Sequence, residues 1–257
     1  MDYILICLVA FIGAALTLFS GFGLGTMLLP VFGLFFPIEI AIILTSIVHF
    51  SNNILKCILF GRKANITTVL KFGIPAIVFA YLGAMVLKSL VFSKPLFEYS
   101  LGENSFQLLP IKLIIGFLLI VFALLDIIPK YKNLEFDKKY LPIGGGLSGF
   151  FGGLSGHQGA LRSAFLIRLH LSKEAFIATG VVIACLVDIT RLSVYIPQII
   201  EQKEVLDFKL LVMATLSAFI GIYFGTKLLQ KTTIKTIQSV VAIMLFVYAV
   251  LLIMGIL

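Results

Sequence analysis

Long apolar runs cut by glycine constrain this chain more than any other feature of it. Ile38–Phe60, Leu70–Leu90, Leu108–Ile128, Lys173–Ile200, Phe208–Leu229 and Ile234–Leu257 are each predominantly apolar. About 18 to 20 such residues, wound as a helix, cross the hydrocarbon core of a bilayer. Two further pairs are shorter, Tyr3–Phe19 with Leu24–Phe36 and Leu141–Gly152 with Gly159–His170, and glycines part the members of each. Composition agrees: 60% of the 257 residues are hydrophobic and 12% charged, against about 45–50% and about 25% in soluble domains. So little charge cannot cover a globule with water-compatible surface. The expected fold class is all-α and integral to the membrane, with the lipid bilayer as its first partner.

Other classes fall away. The formal net charge is +8, which in a soluble protein would suggest nucleic acid. Here the basic residues gather in short loops between apolar runs, as the positive-inside rule expects, and no nucleic-acid partner is inferred. Cys7, Cys57 and Cys185 are scattered through apolar segments with no CxxC spacing and no Cys/His cluster. They read as buried free thiols, and neither a metal nor a cofactor is expected. Gly144–Gly149 spells G-x-G-x-x-G, but without a preceding strand the dinucleotide reading fails. GLSG at Gly153–Gly156 has the form used by intramembrane serine proteases, yet GLSG also occurs at Gly146–Gly149, and no histidine follows His170. No enzyme is expected. Met1-Asp2-Tyr3 lacks the cationic start of a signal peptide, so Tyr3–Phe19 reads as retained. Lys94–Phe106 reads as an external loop or interfacial helix.

An internal repeat organises the chain. A glycine-rich stretch from Ser20 (SGFGLG) leads through apolar sequence into PIEIAIILTSIVHFSNNILK, and another from Ser155 (SGHQG) leads into SKEAFIATGVVIACLVDITR. At an offset of 135, Glu39 matches Glu174, Asn53 matches Asp188 and Lys56 matches Arg191; nearer the glycines an offset of 134 matches Gly25 with Gly159. AYLG at Ala80–Gly83 resembles AFIG at Ala218–Gly221. The expected organisation is a first membrane repeat over 1–129, a polar cytoplasmic linker over 130–140 and a second repeat over 141–257. Each repeat would be a glycine-broken re-entrant hairpin plus three transmembrane helices.

Basic residues orient the two halves. Lys130, Lys132, Lys138 and Lys139 in the linker, Arg62 and Lys63 after the Ile38 span, and Lys227, Lys231 and Lys235 near the last turn belong inside. Glu98 and Glu103, then Glu201, Glu204 and Asp207, mark the opposite face. These placements agree if each hairpin enters and leaves on one face. The repeats then have inverted topology and both termini lie outside, in what is expected to be a bacterial inner membrane. Inverted repeats with broken helices are a recurring plan of secondary transporters. Non-helical backbone at depth must meet protein or a wet cavity, so the two glycine tips should meet near the centre.

The polar residues near these tips are the candidates for chemistry. The arm rising from Gly156 leaves its first N–H groups unpaired at the positive end of a helix dipole, where anions settle. His157, Gln158 and Ser163 add donors. Arg162 adds a permanent charge in a fork that fits oxyanions, at a depth where arginine costs roughly 2.5–3.5 kcal/mol. The expected anion site is Arg162, His157, Gln158 and Ser163 with the tip glycines Gly23, Gly25, Gly156 and Gly159. The alternative is an arginine that braces carbonyls of the other tip.

A second group, His49, Asn52, Asn53 and Lys56, falls at i, i+3, i+4 and i+7, on one helical stripe that should face a cavity. His49 lies about 16 Å deep, at 1.5 Å per residue. It can titrate with a co-transported proton or hold helices together by hydrogen bonding. Lys56 reads as an interfacial side chain. Asp188 and Arg191, with Tyr195 a turn beyond, read as a local ion pair or an anion vestibule, with Arg191 near the outer end of its helix. His49, Asn52, Asn53, Asp188 and Arg191 are thus the expected pathway or proton-coupling residues. Glu39 and Glu174 sit in first turns as partners of the dipole.

GFGLGTMLLP at Gly21–Pro30 places Gly23, Gly25 and, five residues after Gly25, Pro30, and AIILTSIVHFSNNILKCILFGRKAN follows. With the duplicated layout, this resembles the TauE/SafE family of membrane anion permeases over nearly the whole chain. The resemblance implies a transporter of sulfite, sulfonates or related sulfur compounds, with a small anionic substrate and no catalysis. In the second half His157 and Gln158 stand where that family keeps glycines, Ala164 stands where it keeps proline, and Arg162 lies outside its glycine pattern. The expected function is a permease working by alternating access, with protons as a candidate coupling partner. An anion channel is the alternative, ahead of an intramembrane enzyme or a scaffold.

Overall fold

A computed structural model describes residues 2–20, 23–101, 104–127, 136–201, 206–228 and 234–257. The expected turn residues Glu103, Lys130, Lys132, Glu204 and Lys231 lie outside these, as do Gly21 and Phe22 of the first tip.

Helices form where the apolar runs lie, and their ends follow local chemistry. Helix α1 (Asp2–Ser20) and α2 (Leu24–Gly33) flank the first tip, and α3 (Ile38–Phe60) begins after Pro37. Helix α4 (Ile66–Val91) starts at Asn65, whose side chain accepts the Thr68 N–H at 2.9 Å, a favourable N-cap. Helix α5 (Pro110–Ile127) opens on proline, which needs no N–H partner there. Helix α6 (Leu141–Ser155) stops at Gly156, whose φ of 83° lets its N–H donate to the Gly152 carbonyl at 2.9 Å. The short α7 (Gly159–Leu166) tightens into a 3₁₀ turn at Ile167–Leu169. Helices α8 (Lys173–Glu201), α9 (Phe208–Leu228) and α10 (Ile234–Ile253) complete the order.

Segments of α3, α4, α8 and α9 are long and apolar enough to cross a membrane, and the apolar parts of α1, α2, α5 and α10 are shorter. The chain is a mostly helical integral membrane protein. One segment departs from the expected all-α class: in place of the loop or interfacial helix expected over Lys94–Phe106, β1 (Phe97–Leu101) pairs antiparallel with β2 (Asn104–Leu108). Its side chains alternate with the period of a strand. Tyr99 stacks on Phe106 at 5.3 Å on one face, while Gln107 donates to Glu98 at 2.7 Å on the other.

Small residues set the packing. Gly145, Gly149 and Gly153 recur every four residues along α6 and so share one face. A methyl group on them would lie 2.1, 2.2 and 2.0 Å from the carbonyl oxygens of Phe72, Ala76 and Ala80 on α4. The two backbones are in contact, as small residues permit in a membrane. The opposite face of α4 carries Leu70, Ile74, Val78 and Leu82, all exposed and suited to lipid. Helices α1 and α9 repeat the arrangement, with Gly221 and Gly225 against the carbonyl oxygens of Phe11 and Ala15 at 2.2 and 2.7 Å. Helix α3 packs on α8, and α5 on α10.

Candidate functional site

The stripe His49, Asn52, Asn53 and Lys56 turns inward on α3, and all four residues are buried. They line a cavity of about 50 Å³. Gly23 and Leu24 at the start of α2, Arg162 and Ser163 on α7, Thr17 on α1 and Gly180 on α8 complete its polar and close-packed parts. Gly180 leaves room for the guanidinium: a methyl there would sit 3.4 Å from Arg162 Nε. Phe176, Ile177 and Val181 supply an apolar wall.

Of the expected anion-site residues, Arg162, Ser163 and Gly23 reach this cavity, and the others stand behind it. Gln158 steadies the arginine, its Oε1 accepting from Arg162 Nη1 at 3.1 Å. His157 stays on the turn before α7. Its Nδ1 lies 3.1 Å from the Ser155 carbonyl, and its ring stacks on Phe122 at 5.4 Å. Gly159 is buried at the start of α7 without lining the cavity. The helix start that borders the cavity is that of α2, at Gly23 and Leu24.

The glycine tips do meet. A methyl on Gly25 would touch His49 and Thr45 at 3.6 Å and the Gly156 carbonyl oxygen at 3.9 Å. On Gly156 it would lie 2.6 Å from Arg191 Nη1, so glycine is needed there for space as well as for its left-handed backbone.

Asp188 gathers the remaining polar residues. Its Oδ2 accepts from Asn53 Nδ2 at 2.9 Å and lies 2.8 Å from His49 Nδ1. Its Oδ1 accepts from Arg191 Nε at 3.0 Å and lies 2.8 Å from Arg191 Nη2. An ionised carboxylate only accepts, so in this contact the histidine carries its proton on Nδ1. The expected Asp188–Arg191 ion pair is present, but Arg191 is not near the end of its helix. It is 1% exposed, well inside α8. The carboxylate one turn earlier and the space over Gly156 make that burial tolerable. Tyr195, a turn further, donates its hydroxyl to the Gly153 carbonyl of α6 instead of joining the pair.

Lys56 corrects the interfacial reading. It is 5% exposed and lines the cavity. Among the described residues it makes no hydrogen bond or ion pair. Its i+7 relation to His49 was the available signal, because a stripe that faces inward at one end faces inward at the next two turns. Thr17, a hydroxyl in an otherwise apolar stretch of α1, offered no such signal. Thr17 Oγ1 and both amide atoms of Asn52 are buried without a partner among the described residues, so the cavity presents unmet hydrogen-bonding capacity.

A helical membrane protein that buries cations around an internal polar cavity, between broken helices, belongs to the transporters in class. The chain belongs to the sulfite exporter TauE/SafE family, whose model matches residues 6–252. It is accordingly a membrane transporter and not an enzyme. None of the curated proteins compared with it matches.

Proposed function

We propose that the chain carries a small anion of the sulfite and sulfonate class across the bilayer by alternating access. The observation that carries this reading is the meeting of Arg162 and Lys56 at one cavity while the nearby carboxylate, Asp188, is engaged by Asn53, His49 and Arg191. An anion restores neutrality there, and Ser163, Asn52 and the start of α2 offer donors to its oxygens. About 50 Å³ holds on the order of a few water-sized groups, which suits a compact head group. Gln158 acts as a positioning residue for Arg162. His49, resting on Asp188, is the candidate proton carrier, and Gly25, Gly156 and Gly159 shape the tips.

The mechanism rests on two inverted repeats, 1–129 and 141–257, joined by a cytoplasmic linker over 130–140. Their packing supports this. Gly83 of AYLG sets α4 on α6, where a methyl would lie 2.1 Å from the Phe150 carbonyl oxygen, and Gly221 of AFIG sets α9 on α1. Asn53 and Asp188, matched by the repeat, are bonded to each other at 2.9 Å, as equivalents beside a two-fold axis would be. The orientation that follows has both termini outside a bacterial inner membrane.

Counterflow in proteoliposomes tests the function. With unlabelled sulfite inside and labelled sulfite outside, a carrier accumulates label transiently. The Arg162→Gln variant, at an unchanged melting temperature, should abolish that accumulation. Non-saturating current without counterflow would make the protein a channel, and unchanged counterflow in the variant would make Arg162 a brace.

A further inference from the structure

Lys56 is a lysine nine-tenths buried, without a partner among the described residues, at the wall of the cavity that Arg162 also lines. We infer that Lys56 and Arg162 form a two-point clamp that selects doubly charged oxyanions over singly charged ones. The inference rests on the reading of this cavity as the substrate site.

Electroneutrality carries the argument. Removing one partner from buried opposite charges leaves the other uncompensated, which is strongly unfavourable. A monoanion in this cavity satisfies one cation and leaves the second bare. A dianion satisfies both. The nearest carboxylate cannot substitute, since both oxygens of Asp188 are occupied by Asn53, His49 and Arg191. The two cations also differ in kind. Arg162 is a planar fork held by Gln158 at 3.1 Å, suited to fixing one face of an oxyanion. Lys56 is a point charge on a flexible stem, suited to collecting a second charge wherever the head group places it. They come from opposite halves of the chain, Lys56 from α3 and Arg162 from α7. The unpartnered Asn52 amide and the Ser163 hydroxyl remain to donate to further oxygens. The class selected is therefore a compact dianion such as a sulfate, sulfite or thiosulfate. Taurine-like zwitterions and monosulfonates fit it poorly.

Sulfate and methanesulfonate are the probes. They share a tetrahedral head and differ by one charged oxygen against a methyl group. Calorimetric titration of the purified protein in detergent, at pH 6 and fixed ionic strength, should give sulfate an affinity at least about tenfold higher, some 1.4 kcal/mol. Lys56→Gln should bring the two within about threefold by weakening sulfate alone, and Lys56→Arg should retain the preference. Equal affinities in the unmodified protein overturn the clamp and leave the anion site standing, a result that needs no variant. A preference that survives in folded Lys56→Gln also overturns it. Absence of binding by either anion overturns the anion-site reading and the clamp together.

Discussion

Asp188 is the residue on which the polar interior depends most. It accepts from Asn53 on α3 and from Arg191 on its own helix, and it rests on His49. Gln158 approaches it from before α7, with Nε2 at 3.4 Å from Oδ1. All of these are buried, so truncating the carboxylate strands a cation. Asp188→Ala should destabilise the purified protein by about 3–5 kcal/mol, read as a large drop in melting temperature. The double variant Asp188→Leu with Arg191→Met should recover most of the loss, since an apolar pair of similar volume leaves no charge to desolvate. A double variant no more stable than Asp188→Ala would mean that the interior depends on the carboxylate's other bonds, to His49 and Asn53.

At the scale of elements, glycine position decides which helices touch. Gly149 faces the Ala76 backbone, where a methyl would lie 2.2 Å from a carbonyl oxygen, whereas a methyl on Gly146 would meet only the Phe79 ring, at 3.3 Å. Both lie on α6, three residues apart. Gly149→Val should therefore separate α4 from α6 and abolish monodisperse folded protein on size exclusion. Gly146→Ala should stay within about 1 kcal/mol of the parent, because the ring can shift and alanine favours the helix by about that amount. Similar behaviour of the two variants would mean that backbone contact is not what holds this pair.

At the scale of the whole molecule, the proposed orientation predicts which turns face which side. With the linker inside, the exposed Lys63 turn faces the cytoplasm and exposed Lys94, ahead of the β-hairpin, faces outward. In a background with Cys7, Cys57 and Cys185 changed to serine, an impermeant thiol reagent added to intact cells should label Lys94→Cys and spare Lys63→Cys until the membrane is opened. The reverse pattern would invert the orientation and place both termini inside. Labelling of both in intact cells would contradict the span between them.

The positions of the helices, among them four long enough to span a membrane, the glycine breaks and the inward stripe on α3 were legible in the sequence. They depend on quantities that are local: the length of an apolar run, the backbone freedom of glycine, and the 3.6-residue period. Family membership was legible too, in Gly23, Gly25 and Pro30. Which side chains share a cavity was not. His157 stands five residues before Arg162 and six before Ser163 but turns away to Phe122, while Lys56, more than a hundred residues from Arg162, faces the same space. The hairpin at Phe97–Leu108 was missed for a related reason, because a pair of strands exists only when each finds the other's backbone. Sequence alone determined what this chain could bury in lipid. The tertiary structure decided which buried charges found partners and which were left facing a cavity, because the cost of a buried charge is set by its neighbours in space.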